Sequence, residues 1–193
     1  MMRKWTAIAL IALMVLAMVG CGGGASPNTP TGAVENGVKA LKEMNVTNLE
    51  KYFVDGGDLN DLGEEEKAQL DLMKALFTKL SVKVTKEEID ADDENYATVT
   101  ADLTTIDAQA LITGLSVDMI TWATEHQDAT EEESMTWLVD KIKSSASGAS
   151  TTTVEGVEIY CEKVDGNWKV SDSYDNSGFF GAIMGGDILG NLF

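Results

Sequence analysis

The spacing of apolar residues changes three times along the chain, and this alternation limits the fold more than any other sequence feature. Over 34–80 apolar residues recur every three or four positions, as on one face of a helix. They alternate with polar residues over 82–103, return to helical spacing over 111–142, and alternate again over 154–170. This order predicts an α+β fold with about four antiparallel strands and a helical pair inserted between two hairpins.

Local signals predict where the N-terminal helices begin and end. Thr29 and Pro30 are typical of a helix start, and Asn45 is typical of a left-handed helix end. The capping box at 47–50 predicts a short second helix. A longer helix is expected over 63–80, with three glutamates at its start.

The inserted helices and the last hairpin carry further local signals. Asp107 is a candidate N-cap, and Thr130 with Glu133 forms a second capping box. The residues expected to face the core are Leu111, Leu115, Met119, Trp122 and Ala123 in one helix, and Met135, Leu138, Val139 and Ile142 in the other. The turn at 165–167 predicts a hairpin between strands over 154–164 and 168–171.

Residues 1–20 have the composition of an export signal. Arg3 and Lys4 precede an uncharged apolar run of about 15 residues, short of the roughly 20 that span a bilayer. The sequence at 18–21 resembles the lipobox of bacterial lipoproteins, with Met18 where leucine is usual. This resemblance implies that Cys21 is acylated and becomes the N-terminus after cleavage. An uncleaved anchor helix and a plain signal peptide are the alternatives.

The residues after this segment suggest how the folded part is attached. Residues 21–30 are expected to form a flexible tether, with membrane lipid as the partner of acylated Cys21. The formal charge of −18 argues against nucleic-acid binding and predicts repulsion from anionic headgroups. The expected location is therefore the extracytoplasmic face of the cell membrane, or the outer membrane where a cell has one.

Cys161 is the second of two cysteines in the chain. With Cys21 acylated, Cys161 has no partner for an intramolecular disulfide. It shares one strand face with Val157 and Ile159, and its direct neighbours in the sequence, Tyr160 and Glu162, are neither basic nor histidine. We therefore expect a buried, small apolar side chain and not a nucleophile.

The segments 42–53 and 163–170 resemble those of the nuclear transport factor 2-like (cystatin-like) superfamily, and of its small secreted bacterial lipoproteins in particular. The resemblance covers about residues 31–175 as a single domain. It implies N-terminal helices packed on a curved antiparallel sheet around a conical pocket, with the helical pair at 107–145 as an insertion. Some relatives are isomerases or dehydratases with Asp, His and Tyr in the pocket. No matching acid–base motif is present, so no catalytic residue is transferred.

Four single residues are candidates for a site. His126 is the one histidine and a candidate general base, but its place near a helix C-terminus favours an exposed polar role. Tyr96 and Asp102 share a strand face and could line a pocket, although threonines on that face favour a solvated surface. Trp168 is a further pocket candidate, for which packing under the hairpin is the favoured interpretation.

Metal and cofactor signals are weak. Asp90, Asp92 and Glu94 have the alternate spacing of a calcium loop without its glycine and distant glutamate. Two cysteines and one histidine far apart in sequence do not make a zinc site. Phosphate-loop and dinucleotide fingerprints do not occur in the sequence. We therefore predict no catalytic, cofactor-binding or metal-binding residues.

Residues 176–193 are predicted to form an apolar, glycine-rich tail. Phe179 and Phe180 are its candidate interaction residues. They could fill the domain's own pocket, bind a partner or touch the membrane, and the first two alternatives are favoured.

Three function classes follow from these predictions. The first is an extracytoplasmic lipoprotein that acts as a small-ligand-binding or protein-interaction module. The alternatives are an isomerase or dehydratase of small substrates, and a structural envelope lipoprotein that acts as a homodimer or larger oligomer. An ionisable group buried in the pocket would favour the enzyme.

Overall fold

The structure is a computed structural model that describes residues 28–54, 64–172 and 174–185, and the lipobox with Cys21 lies outside these residues. The described helices are α1 (Pro30–Glu43), α2 (Val46–Tyr52), α3 (Glu64–Leu76), α4 (Ala108–Glu125), α5 (Glu131–Ala146) and α6 (Ser177–Ile183). The described strands are β1 (Ser81–Ile89), β2 (Tyr96–Ile106), β3 (Thr151–Val164) and β4 (Asn167–Val170). The predicted α+β class is confirmed, with α4 and α5 between the two hairpins.

The four strands form one antiparallel sheet in the order β1-β2-β3-β4. The register shifts once between β1 and β2, after Val84, and once between β2 and β3, next to Asp102. At the second shift Glu155 and Gly156 together lie opposite Asp102, which makes a β-bulge. Bulges bend a strand and increase its twist, so these two positions favour a curved sheet.

One face of the sheet is buried by α1, α6 and the 3₁₀ turn at Phe77–Lys79. Alternate residues of β2 are buried from Ala97 to Leu103, while their neighbours are half-buried. The buried apolar residues of β2, β3 and β4 are Ala97, Val99, Ala101, Leu103, Ile106, Val157, Ile159, Cys161, Trp168 and Val170. The helix-facing side of the sheet is thus filled with apolar side chains.

Several predicted local features are confirmed. The Thr29 hydroxyl accepts a hydrogen bond from the Gly32 amide at 3.0 Å, one residue before Pro30 begins α1. Asp107 caps α4, and Thr130 with Glu133 forms the predicted capping box of α5. Positive φ angles at residues 165 and 166 match the type I′ turn that suits a two-residue hairpin.

Two N-terminal predictions are wrong in their details. Met44, not Asn45, adopts the left-handed conformation that ends α1, with φ of 47°. Asn45 instead caps α2, because its side chain accepts a hydrogen bond from the Asn48 amide, so the capping box at 47–50 does not form. The next helix, α3, ends at Leu76 and continues to Lys79 only as a 3₁₀ turn.

The predicted core faces of the inserted helices also need correction. Met119, Ala123 and Met135 are exposed, although each was expected to face the core. Leu111 and Leu115 are buried as expected. For α4 the physical reason is that apolar residues occur on two sides of the helix, so their spacing alone does not tell which side is buried.

The region predicted as a tail begins with residues that pack on the sheet. Phe179, Ala182 and Ile183 of α6 belong to the hydrophobic core. Asn176, just before α6, is fully buried. Its side chain accepts a hydrogen bond from the Tyr160 amide at 2.7 Å and donates to the carbonyls of Tyr160 and Ser171. The Asn176 amide therefore extends the pairing of β3 beyond the point where β4 ends.

Candidate interaction surface

The hairpin of α4 and α5 is inserted between β2 and β3, and α5 also packs against α3. Ala108, Leu111 and Leu115 are the buried residues of α4, and Ala146 is the buried residue of α5. Midway along the hairpin, Lys141 of α5 pairs with Asp118 of α4 at 2.8 Å. The outer side of α4 is exposed.

This outer side carries apolar residues where water-facing charges would be expected. Val117 is 68% exposed and Ile120 is 69% exposed. Together with Ala110, Thr113 and Thr124, which are also exposed, they form a single stripe that we call the outer seam. Successive members of the seam are three or four residues apart, so they lie on one face of the helix.

The hydroxyl groups on α4 are satisfied by the helix itself. Thr113 donates to the Gln109 carbonyl and Thr124 to the Ile120 carbonyl, each at 2.7 Å. Ser116 and Thr121 make equivalent bonds to the residues four positions earlier, each at 2.9 Å. Such bonds remove the need for an outside partner. The outer side of α4 is therefore less polar than its sequence suggests.

The free end of the hairpin holds a stack of three aromatic rings. The Trp122 ring stacks on His126 with 4.7 Å between centroids and on Trp137 with 5.1 Å. Both neighbouring rings are nearly parallel to the Trp122 ring, at 10° and 21°. This stack connects the end of α4 to the middle of α5.

Carboxylates surround the aromatic stack. A shallow groove of about 510 Å³ is lined by Trp122, Trp137, Thr130, Thr136, Glu132 and Glu133. A second groove of about 370 Å³, on the His126 side, adds Glu125 and Asp128. Aromatic faces next to carboxylates suit cationic groups. This end of the hairpin is thus acidic and aromatic, while the outer seam is uncharged.

The capping box sets the charge of one of these carboxylates. Glu133 accepts hydrogen bonds from the Thr130 amide at 2.8 Å and from the Thr130 hydroxyl at 3.0 Å. These bonds, and secondarily the nearby His126, lower the pKa of the Glu133 carboxyl below its ordinary value. Glu133 is therefore ionised throughout the neutral range.

His126 lies at the C-cap of α4, as its sequence position indicated. Its Nδ1 is 2.9 Å from the Trp122 carbonyl oxygen, and its ring is exposed to solvent. One ring nitrogen is thus engaged with the helix end. The Thr130 hydroxyl, which lies in the same region, is bonded to Glu133, so the described contacts do not form a nucleophile–base pair here.

Tyr96 and Asp102 lie away from the hairpin, on the outer face of the sheet. Tyr96 is 52% exposed. Asp102 accepts a hydrogen bond from the Gly156 amide at 3.2 Å and lies 3.8 Å from the Lys83 ammonium. These contacts give Asp102 a part in the β-bulge, and the structure does not bring Tyr96 and Asp102 together with His126.

The acidic turn between β1 and β2 uses its carboxylates to bond its own backbone. Asp90 accepts from the amides of Asp92 and Asp93, and Asp93 accepts from the amide of Asn95. Within the described ranges, no three Asp, Glu, His or Cys side chains are grouped closely enough to hold a metal ion.

Trp168 and Cys161 lie in the core. Trp168 is buried, and the Lys163 ammonium lies over its ring at 5.1 Å from the centroid. Burial, and then the charge of Glu87, raises the pKa of the Cys161 thiol to about 12. The thiol is therefore protonated at neutral pH and is not a reactive nucleophile.

Phe179 and Phe180 begin the part of the former tail region that is helical. Phe179 is fully buried and stacks with Phe53 at 6.5 Å between centroids. Phe180 is half-buried and packs against Phe179 at 5.2 Å. Of the two, Phe179 has no surface to offer a partner, because its side chain is fully buried.

The seam and the aromatic stack were not singled out from the sequence. The repeat of three and four residues from Ala110 to Thr124 could have revealed the seam, but the same helix carries a second apolar stripe through Leu111 and Leu115. Trp137 could be found only through its contact with Trp122, which depends on how two helices pack.

Among the described residues, no helix has both the length and the apolar character needed to cross a bilayer. No protein-family model matches the chain. No curated protein matches it either. Among solved structures, the chain is similar to the putative lipoprotein ycdA of Bacillus subtilis, with 16% sequence identity and a TM-score of 0.46. The match covers 76% of this chain and 44% of that chain, so this chain spans less than half the length of that protein. A likeness of this size identifies neither a family nor a function.

Proposed function

We propose that this chain is a lipid-anchored, extracytoplasmic interaction module that presents the hairpin of α4 and α5 to its partners. The exposed apolar seam of α4 carries the proposal. Apolar side chains that remain in water on a helix of this length usually mark a contact surface. The acidic, aromatic end of the hairpin provides a second, chemically different part of the same surface.

The interior of the domain supports binding over catalysis. The buried polar side chains of the described part are Thr105, Ser171 and Asn176, and each has a hydrogen-bond partner; the Ser171 hydroxyl donates to Glu162 at 2.9 Å. Thr105 donates to the Ile183 carbonyl, and Asn176 bonds β3. In a domain of the nuclear transport factor 2-like type, the conical pocket would be the place for a buried acid or base. Here apolar side chains from α1 and α6 lie on that side of the sheet.

The anchor in this proposal is Cys21, acylated after cleavage of residues 1–20. The export-signal composition and the lipobox resemblance at 18–21 support it. Two or three acyl chains would hold the module on the membrane while residues 21–30 let it stand away from the lipid. The formal charge of −18 favours this separation.

The anchor can be tested by fractionating cells that express the full chain or its Cys21→Ala variant. We expect the wild-type chain in the membrane fraction, with an intact mass increased by acyl groups. The Cys21→Ala chain should lose this modification. Equal membrane retention and equal masses for both chains would contradict the lipoprotein assignment.

The interaction surface can be tested by photo-crosslinking in intact cells. A photoreactive residue at Ile120 or Met135 reports on the hairpin, and the same residue at Lys83 serves as the control, because the Lys83 side chain is 81% exposed on the sheet. We expect discrete protein adducts from the two hairpin positions and not from position 83. Adducts of equal yield at all three positions, or at none, would reject the hairpin as the interaction surface.

A further inference from the structure

Aromatic rings and carboxylates line one continuous surface at the free end of the hairpin. The two grooves described above share Trp122 and Glu133, so they adjoin. We call them together the tip groove, and its aromatic and acidic residues are Trp122, Trp137, Glu125, Asp128, Glu132 and Glu133. Both indole rings are half-buried. They are thus held by packing and still present part of their surface to a partner.

The negative charge of the tip groove is not compensated locally. Residues 122–137 contain five carboxylates and no lysine or arginine. Among the described residues, Glu125, Asp128 and Glu132 have no ion-pair partner. A basic partner is attracted from a distance by the formal charge of −18, and it gains most where carboxylates are unpaired. Charge complementarity therefore favours a cationic occupant.

Two parts of the tip groove are already fixed in place. Both hydrogen bonds from Thr130 go to Oε2 of Glu133, and within the described ranges Oε1 of Glu133 accepts none. The Trp122 ring stacks on two neighbouring rings, which restricts its rotation. A partner that binds here orders few side chains of this chain, and the entropic cost of binding is reduced.

An arginine side chain matches both parts of this surface. Its planar guanidinium stacks on aromatic rings, and its N–H groups can donate two parallel hydrogen bonds to one carboxylate. A lysine ammonium is a compact, strongly hydrated charge, so it gains less from an indole ring that is partly in water. The grooves are shallow and do not enclose a small molecule as ligand pockets usually do. They suit a chain segment that lies across them.

We propose that the tip groove binds an arginine-containing segment of a partner protein. The guanidinium lies against the indole surface, and its N–H groups donate to Glu132 and to Oε1 of Glu133. Because the two grooves adjoin, an extended segment with a second arginine can also reach Glu125 and Asp128. This inference deepens the proposed function by naming the chemistry of the partner, and it rests on the hairpin as the interaction surface.

Peptide binding to the purified full chain in a neutral detergent tests the inference. One probe is a fluorescein-labelled peptide with three arginines separated by glycine and serine residues, and the second probe has lysines in their place. Fluorescence anisotropy gives the Kd of each peptide. We expect the arginine peptide to bind about threefold more tightly than the lysine peptide, because stacking on the indole surface favours the guanidinium.

Variants locate the binding within the molecule. Glu132→Gln and Trp137→Leu should each raise the Kd of the arginine peptide about threefold, since each removes one of its contacts. Asp140→Asn is the matched control, because it removes the same charge from α5 about 12 Å further along the helix, outside the groove. It should leave the Kd unchanged. Thermal melting checks that each variant folds, and Glu132→Gln changes an exposed side chain that the fold does not need.

The outcomes separate this inference from the proposed function. Equal weakening by Glu132→Gln and Asp140→Asn would indicate attraction by net charge alone and overturn the site. Equal affinities for the arginine and lysine peptides would overturn the choice of arginine. Displacement by tetramethylammonium chloride, and not by sodium chloride at equal ionic strength, would identify a small-cation site and overturn the protein segment. Crosslinks from Ile120 or Met135 in cells, without peptide binding, would overturn this inference alone and leave the hairpin as the interaction surface.

Discussion

The sheet core and the α4–α5 hairpin use apolar residues in opposite ways. In the core, apolar side chains such as Val99, Ile159 and Phe179 are completely buried. In the hairpin, α4 is equally rich in apolar residues, yet it buries only its first two turns and leaves Val117 and Ile120 in water. The content of apolar residues therefore does not decide which elements form the core.

The difference lies in what each apolar face meets. Alternate residues of β2 face a layer of helices, so every second side chain has a partner. Apolar residues occur on two opposite sides of α4. The side with Leu111 and Leu115 is buried, and the side with Val117 and Ile120 is exposed. We expect substitutions in the core to change the free energy of unfolding strongly, and substitutions on the seam to change association with little effect on folding.

The largest expected effect is at the centre of the core. Phe179→Ala should lower the free energy of unfolding by about 3–5 kcal/mol, because it removes a fully buried ring and leaves a cavity. Urea unfolding followed by circular dichroism measures this change. Phe180→Ala is the neighbouring control, and its half-buried ring should cost clearly less. Equal costs for both rings would contradict the placement of α6.

High pH should weaken the core through Cys161. Its thiol has a pKa of about 12 in the folded chain, against about 8.5 for an unperturbed thiol. The buried, protonated Cys161 thiol therefore contributes its full stabilisation below pH of about 8.5. This stabilisation is lost as the pH rises toward 12, because over that range the thiol ionises more readily in the unfolded chain. Comparison with Cys161→Ala isolates this effect from tyrosine ionisation. Parallel stability curves for the two chains would show that the thiol is not buried.

The junction between core and hairpin should be sensitive at Gly185. This residue has φ of 81°, and an added Cβ would lie 2.9 Å from the Ala108 Cβ at the start of α4. Gly185→Ala should therefore cost about 2 kcal/mol of unfolding free energy. Gly181→Ala in α6 is the matched control, since an added Cβ there meets no atom within 4 Å. Gly181→Ala should be neutral or should stabilise the chain. A larger loss of stability from Gly181→Ala than from Gly185→Ala would reject the described contact with Ala108.

Low pH should loosen the hairpin before the core. Because hydrogen bonds to the Glu133 carboxylate lower its pKa, its contribution is present above the pKa of an unfolded glutamate and is lost as the pH falls through the lower folded value. Hydrogen exchange at the first turn of α5 should rise as the pH falls below the ordinary glutamate pKa, after correction for intrinsic rates. Thr130→Ala should lose this protection already at neutral pH, at a cost of about 1 kcal/mol. If hydrogen exchange at the first turn of α5 in the wild-type chain did not change with pH, this would argue against the capping box.

The smallest expected effect on folding is on the seam itself. Ile120→Ala should change the free energy of unfolding by no more than about 0.5 kcal/mol, because the side chain is 69% exposed. Leu115→Ala, on the buried side of the same helix, provides the comparison and should cost several times more. A large loss of stability from Ile120→Ala would mean that this face of α4 is packed within its own chain.

Much of the fold could be predicted because many signals are local. Three kinds of signal depend on a few neighbouring residues and on the exposure of one side to water. They are the alternation along β2, the caps at Asp107 and Thr130, and the turn after Val164. The exchange of roles between Met44 and Asn45 was missed because both residues stand at a junction where either could adopt the special conformation. Such errors shift an element end by one or two residues.

The candidate surface could not be predicted in the same way. A helix that is apolar on two sides gives no preference for either side, which is why Met119 was assigned to the core. The segment that forms α6 contains two glycines, Gly178 and Gly181, so local propensity does not favour a helix there. Its helical form depends on the packing of Phe179 against Phe53 and the sheet. The stack of Trp122 on Trp137 likewise depends on the pairing of two helices.

The position of Asn176 has a consequence for the order of folding. The backbone of Tyr160 in β3 obtains two of its hydrogen bonds from a side chain that a ribosome adds 16 residues later. A nascent chain that stops at residue 172 has β1 through β4 but lacks the amide that completes this edge. We expect such a truncated chain to stay sensitive to protease, and a chain that ends at residue 185 to become resistant. The final packing step of this domain would then occur late in synthesis, after all four strands have emerged.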